Sequence, residues 1–344
     1  MIDADVLVVG GGPVGLAAAI GARMAGLSVV VAEQRAGPID KACGEGLMPG
    51  ALEALARLGV DPAGYRLDGI SYRDARGHVD HRFSSGPGRG VRRTTLHTAL
   101  QARAEELGAR QVVAHIDRIV ERDGAVEAAG VRASWLLACD GLHSTVRRLT
   151  GLDVPARSSA RGSPRRRYGL RRHFLMPAWT HLVEVHWGPR AEAYVTPVQP
   201  DLVGIAILGP AGLGYDDALA SFPTLAERVR AGASAGPVRG AGPLRQRTAR
   251  RTAGRVRLVG DASGYVDALT GEGLRVGFAQ AAAAVANLED AAAYERAWTA
   301  VTRDYRLLTG GLVAWACSPL RAAVVPVARR LPPLYGAIVD RLAG

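Results

Sequence analysis

The sequence predicts an α/β fold made of a discontinuous nucleotide-binding part, a β-sheet inserted into it and helices at the C-terminal end. Three observations carry that expectation. Residues 6–9 are a short β-branched run ending in glycines, and residues 16–25 continue as an Ala-rich helical stretch, so the glycines occupy a strand-to-helix turn. Two further apolar runs, 135–139 and 256–259, each lead into a paired aspartate and glycine. Between them residues from about 155 to 250 alternate as strands, most clearly at 182–187, 191–195 and 203–208.

The first turn has the spacing of a dinucleotide cradle. Gly10 suits the tight turn, Gly12 lets a pyrophosphate approach the backbone, and Gly15 lets the helix pack on its strand, with Val14 inside the same loop. The helix start then offers unpaired N–H groups to phosphate. A second strand, 28–32, ends at Glu33, 18 residues beyond Gly15 and close to the offset expected for a carboxylate that holds ribose hydroxyls. A solvated charge at a strand end is the alternative. NAD and FAD both use this arrangement, so the segment alone does not choose between them.

Composition narrows the class. With 344 residues, 48% hydrophobic and 22% charged, the chain reads as globular and large enough to enclose a cofactor and a substrate. The net charge of +11 is almost all arginine, Lys41 being the single lysine, and no recognition motif accompanies it, so a nucleic-acid partner is not expected. Cys43, Cys139 and Cys317 are scattered and odd in number, which argues against a disulfide framework and a zinc site; no metal is expected and a reducing cytoplasm fits. Residues 1–5 run directly into the first strand without the head of a signal peptide. Residues 307–327 are largely apolar but are interrupted by Pro319, Arg321 and Pro326, and read as a buried helix pair, with membrane-surface contact the less favoured alternative.

The distant motifs decide the cofactor. Asp140-Gly141-Leu142-His143-Ser144-Thr145-Val146-Arg147 has the form DGxxSxVR, and Gly260-Asp261-Ala262 is followed by the glycine-rich run Thr270-Gly271-Glu272-Gly273-Leu274. With these segments the sequence resembles the class A flavoprotein superfamily, whose fold is that of p-hydroxybenzoate hydroxylase. The resemblance implies FAD, with Asp261 at the ribityl chain and Gly273 and Leu274 offering backbone N–H groups to the flavin pyrimidine, where helix-end donors stabilise charge on the reduced ring. It also implies that Asp140 and Gly141 border the cofactor. Arg93-Thr94-Thr95-Leu96 with Leu100 resembles the RxxLxxxL helix whose arginine contacts FAD. Arg35 is a further candidate at the same edge, and Ile116 aligns with a backbone contact to adenine.

Lys41-Ala42-Cys43-Gly44-Glu45-Gly46-Leu47 most resembles the geranylgeranyl reductase branch, in which the Cys-Gly segment lies beside the flavin ring. Ala42 and Cys43 are therefore cofactor candidates and Cys43 a catalytic one, against the plain alternative of a small buried thiol. The reductases carry a YxWxFP signature; here the nearest segment is Tyr194-Val195-Thr196-Pro197, without the Trp and Phe. Halogenases of the superfamily need a catalytic lysine and WxWxIP, and neither is found in place. Class A monooxygenases require no fixed catalytic side chain, only a dry, oriented pocket.

His186, His97 and Tyr194 are candidate acid–base groups, though single histidines are more often structural. No second glycine motif follows a strand, so a dedicated NAD(P)H domain is not expected; the resemblance to class A flavoproteins implies NAD(P)H as a transient reductant. Arg157, Arg161, Arg165, Arg166, Arg167, Arg171 and Arg172 form a candidate landing patch, or a solvated loop.

The expected layout is a Rossmann-like FAD-binding domain at residues 1–150 and 245–300, a β-sheet substrate domain at 151–244 and a C-terminal helical cap at 301–344. The expected function is a cytoplasmic NAD(P)H-dependent monooxygenase acting on a hydrophobic phenolic or polyketide-like molecule. An alkene reductase of the geranylgeranyl reductase type is the alternative, and a non-catalytic flavin-binding protein the third reading. A carrier protein stays open as a partner.

Overall fold

The computed structural model describes residues 2–155 and 166–344. Its first sheet is the nucleotide-binding one. Ala4–Val9 lies between Val29–Glu33 and Val131–Ala138, all parallel, with Arg110–Val113 outside one neighbour and Val256–Leu258 outside the other. The residues of Ala4–Val9 are almost all buried, as a central parallel strand covered on both faces must be. Helix Pro13–Met24 packs on this sheet through Leu16, Ile20 and a run of alanines, whose small side chains let helix Gly273–Ala286 approach from the other side.

The turn between Ala4–Val9 and the helix requires glycine at two positions. Gly10 has φ of +101°, and a β-carbon there would meet the Cys139 carbonyl oxygen at 2.5 Å. A β-carbon on Gly15 would meet the Gly10 carbonyl oxygen at 1.8 Å.

The second sheet forms a lid. Arg167–Leu175, Leu202–Pro210, Glu192–Gln199 and Leu182–Trp187 are successive antiparallel neighbours, in agreement with the alternation read between 155 and 250. The sheet also takes in the hairpin Gly69–Asp74 and Gly77–Arg82, which precedes the expected boundary at 151, with Gly69–Asp74 parallel to Leu182–Trp187. Sequence order could not reveal this pairing, because it joins segments more than a hundred residues apart. Helices Ala291–Ala316, Val324–Arg330 and Pro332–Ala343 close the far side through Val324, Val325, Tyr335 and Val339.

Buried arginines join these parts. Arg167 donates to Glu192 at 2.6 Å and to Asp267 at 3.0 Å, and Arg321 reaches Glu192 at 2.6 Å. Burial alone would pull the Arg167 pKa down, but the two carboxylates outweigh it and hold the guanidinium charged. This corrects one expectation: Arg167 and Arg171 are buried in ion pairs and Arg172 is held by Asp216 at 2.8 Å, so none of them is free to form a landing patch. Arg166 is exposed, while Arg157, Arg161 and Arg165 lie outside the described residues.

Replacing Arg167 with leucine leaves buried Asp267 without its ion-pair partner and Glu192 with Arg321 alone, and is expected to cost roughly 3–5 kcal/mol of stability. Urea unfolding monitored by tryptophan fluorescence measures it, and a loss below about 1 kcal/mol contradicts the account.

Candidate functional site

One cavity of about 910 Å³ runs between the two sheets. Its polar end is built by the sequence motifs. Glu33 stands at the end of its strand with one carboxylate oxygen accepting from the Gly11 backbone N–H at 2.8 Å and the other from Arg35 N–H at 3.2 Å. The carboxylate is thereby held at the mouth of the glycine turn, beside Ile116 and Arg35 in the cavity wall. Gly12 faces the opening; a β-carbon there would have Arg93 Nη2 as its nearest neighbour, at 3.8 Å.

The DGxxSxVR segment has a structural logic of its own. Ser144 Oγ caps helix Thr145–Leu149 by accepting from Arg147 N–H at 2.9 Å, and Asp140 Oδ2 accepts from Val146 N–H at 3.1 Å. Arg147 then reaches across to the second motif, donating to the Ala262 carbonyl at 3.1 Å and pairing with Asp153 at 2.7 Å. One buried guanidinium therefore fixes Asp140-Gly141 and Asp261 relative to each other, although 114 residues separate Arg147 from Asp261.

Asp261, Lys41 and Arg93 face one another across this part of the cavity. Burial raises the Asp261 pKa, and Arg93, Lys41 and Arg147 oppose the rise. Lys41 keeps accessible surface, but that surface looks into the groove, and the surrounding protein together with Arg35 and Arg93 lowers its pKa. Lys41 was not singled out as a cofactor residue from the sequence, although its being the only lysine was a usable signal. Asp140 Oδ1 and Arg93 Nε are buried without a hydrogen-bond partner among the described residues. Such orphaned atoms are costly unless a ligand completes them.

The segment 40–47 is fastened under the lid. Glu45, at φ of +59°, accepts from Arg93 N–H at 2.9 Å and from His173 Nε2 at 2.6 Å. His173 is backed by Arg171 at 2.9 Å, and Arg171 also donates to the Lys41 carbonyl and pairs with Asp40. Ala42 and Cys43 are thus held in the wall of the cavity that Tyr265, Gly273 and Leu274 also line.

The candidate acid–base residues separate. Tyr194 lines the cavity, but its hydroxyl donates to the Leu269 carbonyl at 2.8 Å, and burial followed by the Glu192 charge holds its pKa well above the ordinary value. His186 sits on the other face of its strand from Val183 and Val185, which line the cavity, and pairs with Glu184 at 2.9 Å; it does not face the cavity. His97 donates from Nε2 to the Gly11 carbonyl at 2.9 Å, and burial lowers its pKa, so it is a neutral prop of the glycine turn. Glu272, between Gly271 and Gly273, was quoted in its motif but assigned no role; burial pushes its carboxyl up to about 7, against the pull of Arg275.

The other end of the cavity is apolar, walled by Ile70, Tyr72 and Val185 of the lid and by Leu308, Leu312 and Val339 of the C-terminal helices. Among the described residues, no three His, Cys, Asp or Glu side chains cluster as a metal site.

Comparison with known proteins agrees with this geometry. Residues 3–163 match the family described as FAD binding domain. A menaquinone reductase from Mycolicibacterium smegmatis is 34% identical over 166 residues, 43% of this chain and 40% of that protein. A 12-dehydrotetracycline 5-monooxygenase/anhydrotetracycline 6-monooxygenase from Streptomyces rimosus is 31% identical over 210 residues, 51% of this chain and 41% of that protein. The matches thus span about two fifths of the curated relatives' length. The solved halogenase PltM superposes over 99% of this chain and 82% of its own, with a TM-score of 0.78 and 18% identity, a likeness of fold. The chain is thus similar to FAD-dependent oxidoreductases and monooxygenases, and the match of residues 3–163 supports FAD as the cofactor.

The residues present fit that group. The glycine turn leaves backbone room at Gly12 for a pyrophosphate, Glu33 would hold ribose hydroxyls at the mouth of that turn, and Arg93 and Lys41 supply positive charge between them and Asp261. Arg93→Ala and Lys41→Ala are each expected to weaken FAD binding about tenfold or more, equivalent to about 1.4 kcal/mol. Flavin fluorescence during titration of deflavinated protein reads this, and unchanged affinity in both removes their role.

The Glu272 shift predicts a pH dependence. Because its folded pKa is raised, its protonated form stabilises the fold fully below about 4.5, and that contribution is lost as pH rises through about 7. Glu272→Gln is expected to flatten the fall in melting temperature across this window; parallel pH profiles for the two proteins contradict the assignment.

Proposed function

We propose that the protein is an NAD(P)H-dependent flavin monooxygenase that hydroxylates or epoxidises an apolar small molecule of phenolic or polyketide-like character. The observation that carries this reading is the continuity of the cavity: the groove of Gly12, Arg93 and Asp261 opens without a partition into the chamber of Ile70, Val185, Leu312 and Val339. A substrate in that chamber lies against the Cys43, Leu269 and Gly273 wall. FAD, when bound, supplies two-electron redox chemistry toward O₂ or a polarised double bond.

The chain's own residues supply dryness and orientation. Burial holds the hydroxyls of Tyr72, Tyr194 and Tyr265 neutral, so this wall offers hydrogen-bonding groups but no anion. Tyr194 keeps lone pairs to accept a substrate hydroxyl while its proton is committed to Leu269. Such a pocket excludes water and orients a substrate without an acid–base pair, which suits oxygen transfer. The tetracycline monooxygenase relative supports the same reading.

Reduction of an alkene is the second reading, favoured by Cys43. Its thiol lines the cavity, with sulfur 3.4 Å from the Glu45 backbone nitrogen, where it is placed to give a proton to a reduced double bond. The menaquinone reductase relative supports it.

Turnover with NAD(P)H under labelled O₂ separates the two. One labelled oxygen atom in the product, with the other released as water, supports the monooxygenase; anaerobic saturation of a carbon–carbon double bond supports the reductase and removes the first reading. Under the second, Cys43→Ser slows saturation while leaving the bound flavin spectrum intact; unchanged turnover excludes the thiol.

A further inference from the structure

The apolar chamber does not end inside the protein. Leu331, Leu334 and Ile338 line the cavity and are also 49%, 54% and 37% exposed. Their spacing places Leu334 and Ile338 on one face of helix Pro332–Ala343, with Leu331 immediately before it. The mouth of the chamber is therefore rimmed by large aliphatic side chains facing water. Leu307 on the neighbouring helix Ala291–Ala316 is 69% exposed and adjoins Leu308, which lines the cavity. The pair Arg341–Asp304, at 2.5 Å, brings the two helices together one turn from Ile338 and Leu307, so these leucines and the isoleucine belong to one patch.

The charge around this patch is positive. Arg330 precedes Leu331, Arg303 lies one turn before Leu307 and Arg341 one turn after Ile338, and all three are exposed. The acidic side chains nearest them are both held by partners, Asp304 by Arg341 and Asp340 by His81 at 3.0 Å. The buried-pair reading of residues 307–327 holds for the face of Thr309, Val324 and Val325, whereas Leu307 and Leu320 on the other side are exposed. No single helix among the described residues is long and apolar enough to cross a membrane; Ala291–Ala316 and Pro319–Arg330 together have the composition but are bent by 102°. An aliphatic face rimmed by arginine on helices bent so sharply is the chemistry of a surface lying in the headgroup region of an anionic bilayer.

We propose that the C-terminal helices dock the protein on an anionic lipid surface around the mouth of the chamber, so that a substrate dissolved in the bilayer enters along Leu331, Leu334 and Ile338. The route for substrate rests on the oxidoreductase reading above; the docking itself does not. Insertion of the exposed side chains removes apolar area from water, and the arginines add attraction that salt screens.

Flotation of the FAD-loaded full chain with lipid vesicles tests this without reference to turnover. The protein is expected to float with phosphatidylcholine–phosphatidylglycerol vesicles, and at least about tenfold less with phosphatidylcholine alone or at about 1 M salt, where the screening length is about 3 Å. Leu307→Glu, at a position that does not line the cavity, is expected to reduce flotation about tenfold with the flavin spectrum unchanged, and Leu307→Trp to restore it. Absence of flotation, or equal flotation of wild type and Leu307→Glu, overturns the proposal. So does a dimer in sedimentation velocity that Leu307→Glu dissociates while vesicles bind neither form, which assigns the patch to a second copy. Flotation by a protein inert toward apolar substrates leaves the docking standing and removes the oxidoreductase reading instead.

Discussion

Arg167, buried between Glu192 and Asp267, is the joint on which the remainder of the molecule depends. Its strand and that of Glu192 belong to the lid sheet, Asp267 begins the turn that leads to Gly273, and Arg321 brings the C-terminal helices to the same Glu192. Charges taken from water cost several kcal/mol each unless they are paired and bonded, so this cluster tolerates little displacement. The height of the lid above the cofactor groove, and hence the shape of the chamber, follows from it.

The same device recurs twice. Arg147 ties the Asp140 turn to the Asp261 turn, and Arg171 with His173 ties segment 40–45 to the lid. Arginine suits such joints because its planar fork of donors stays charged and reaches several acceptors at once. The surplus of arginine is thus partly structural: three of these residues are interior fasteners, while others rim the C-terminal patch.

The glycine turn and the capped helix of the groove were legible from local spacing, because glycines at tight turns and a carboxylate at a strand end have to recur at short, fixed intervals. Gly10, Gly15 and Glu33 occupy such a turn, and Asp140 and Ser144 cap the helix their motif begins. The roles of His97 and His186 were not legible, since an imidazole propping a backbone carbonyl and one facing substrate look alike in sequence. Lys41 was passed over for a similar reason: its neighbours Arg93 and Asp261 converge on it only after folding.

By itself, the sequence determined the α/β class and the order of the three motifs, consequences of short-range backbone geometry repeated along one chain, while FAD followed from the resemblance those motifs carry. Only the tertiary structure decided that the hairpin 69–82 joins the lid, that Arg167 and Arg171 are buried, and that the chamber opens between the last helices. These depend on pairings between residues from 25 to more than a hundred positions apart, where burial and charge are set by what the fold brings alongside.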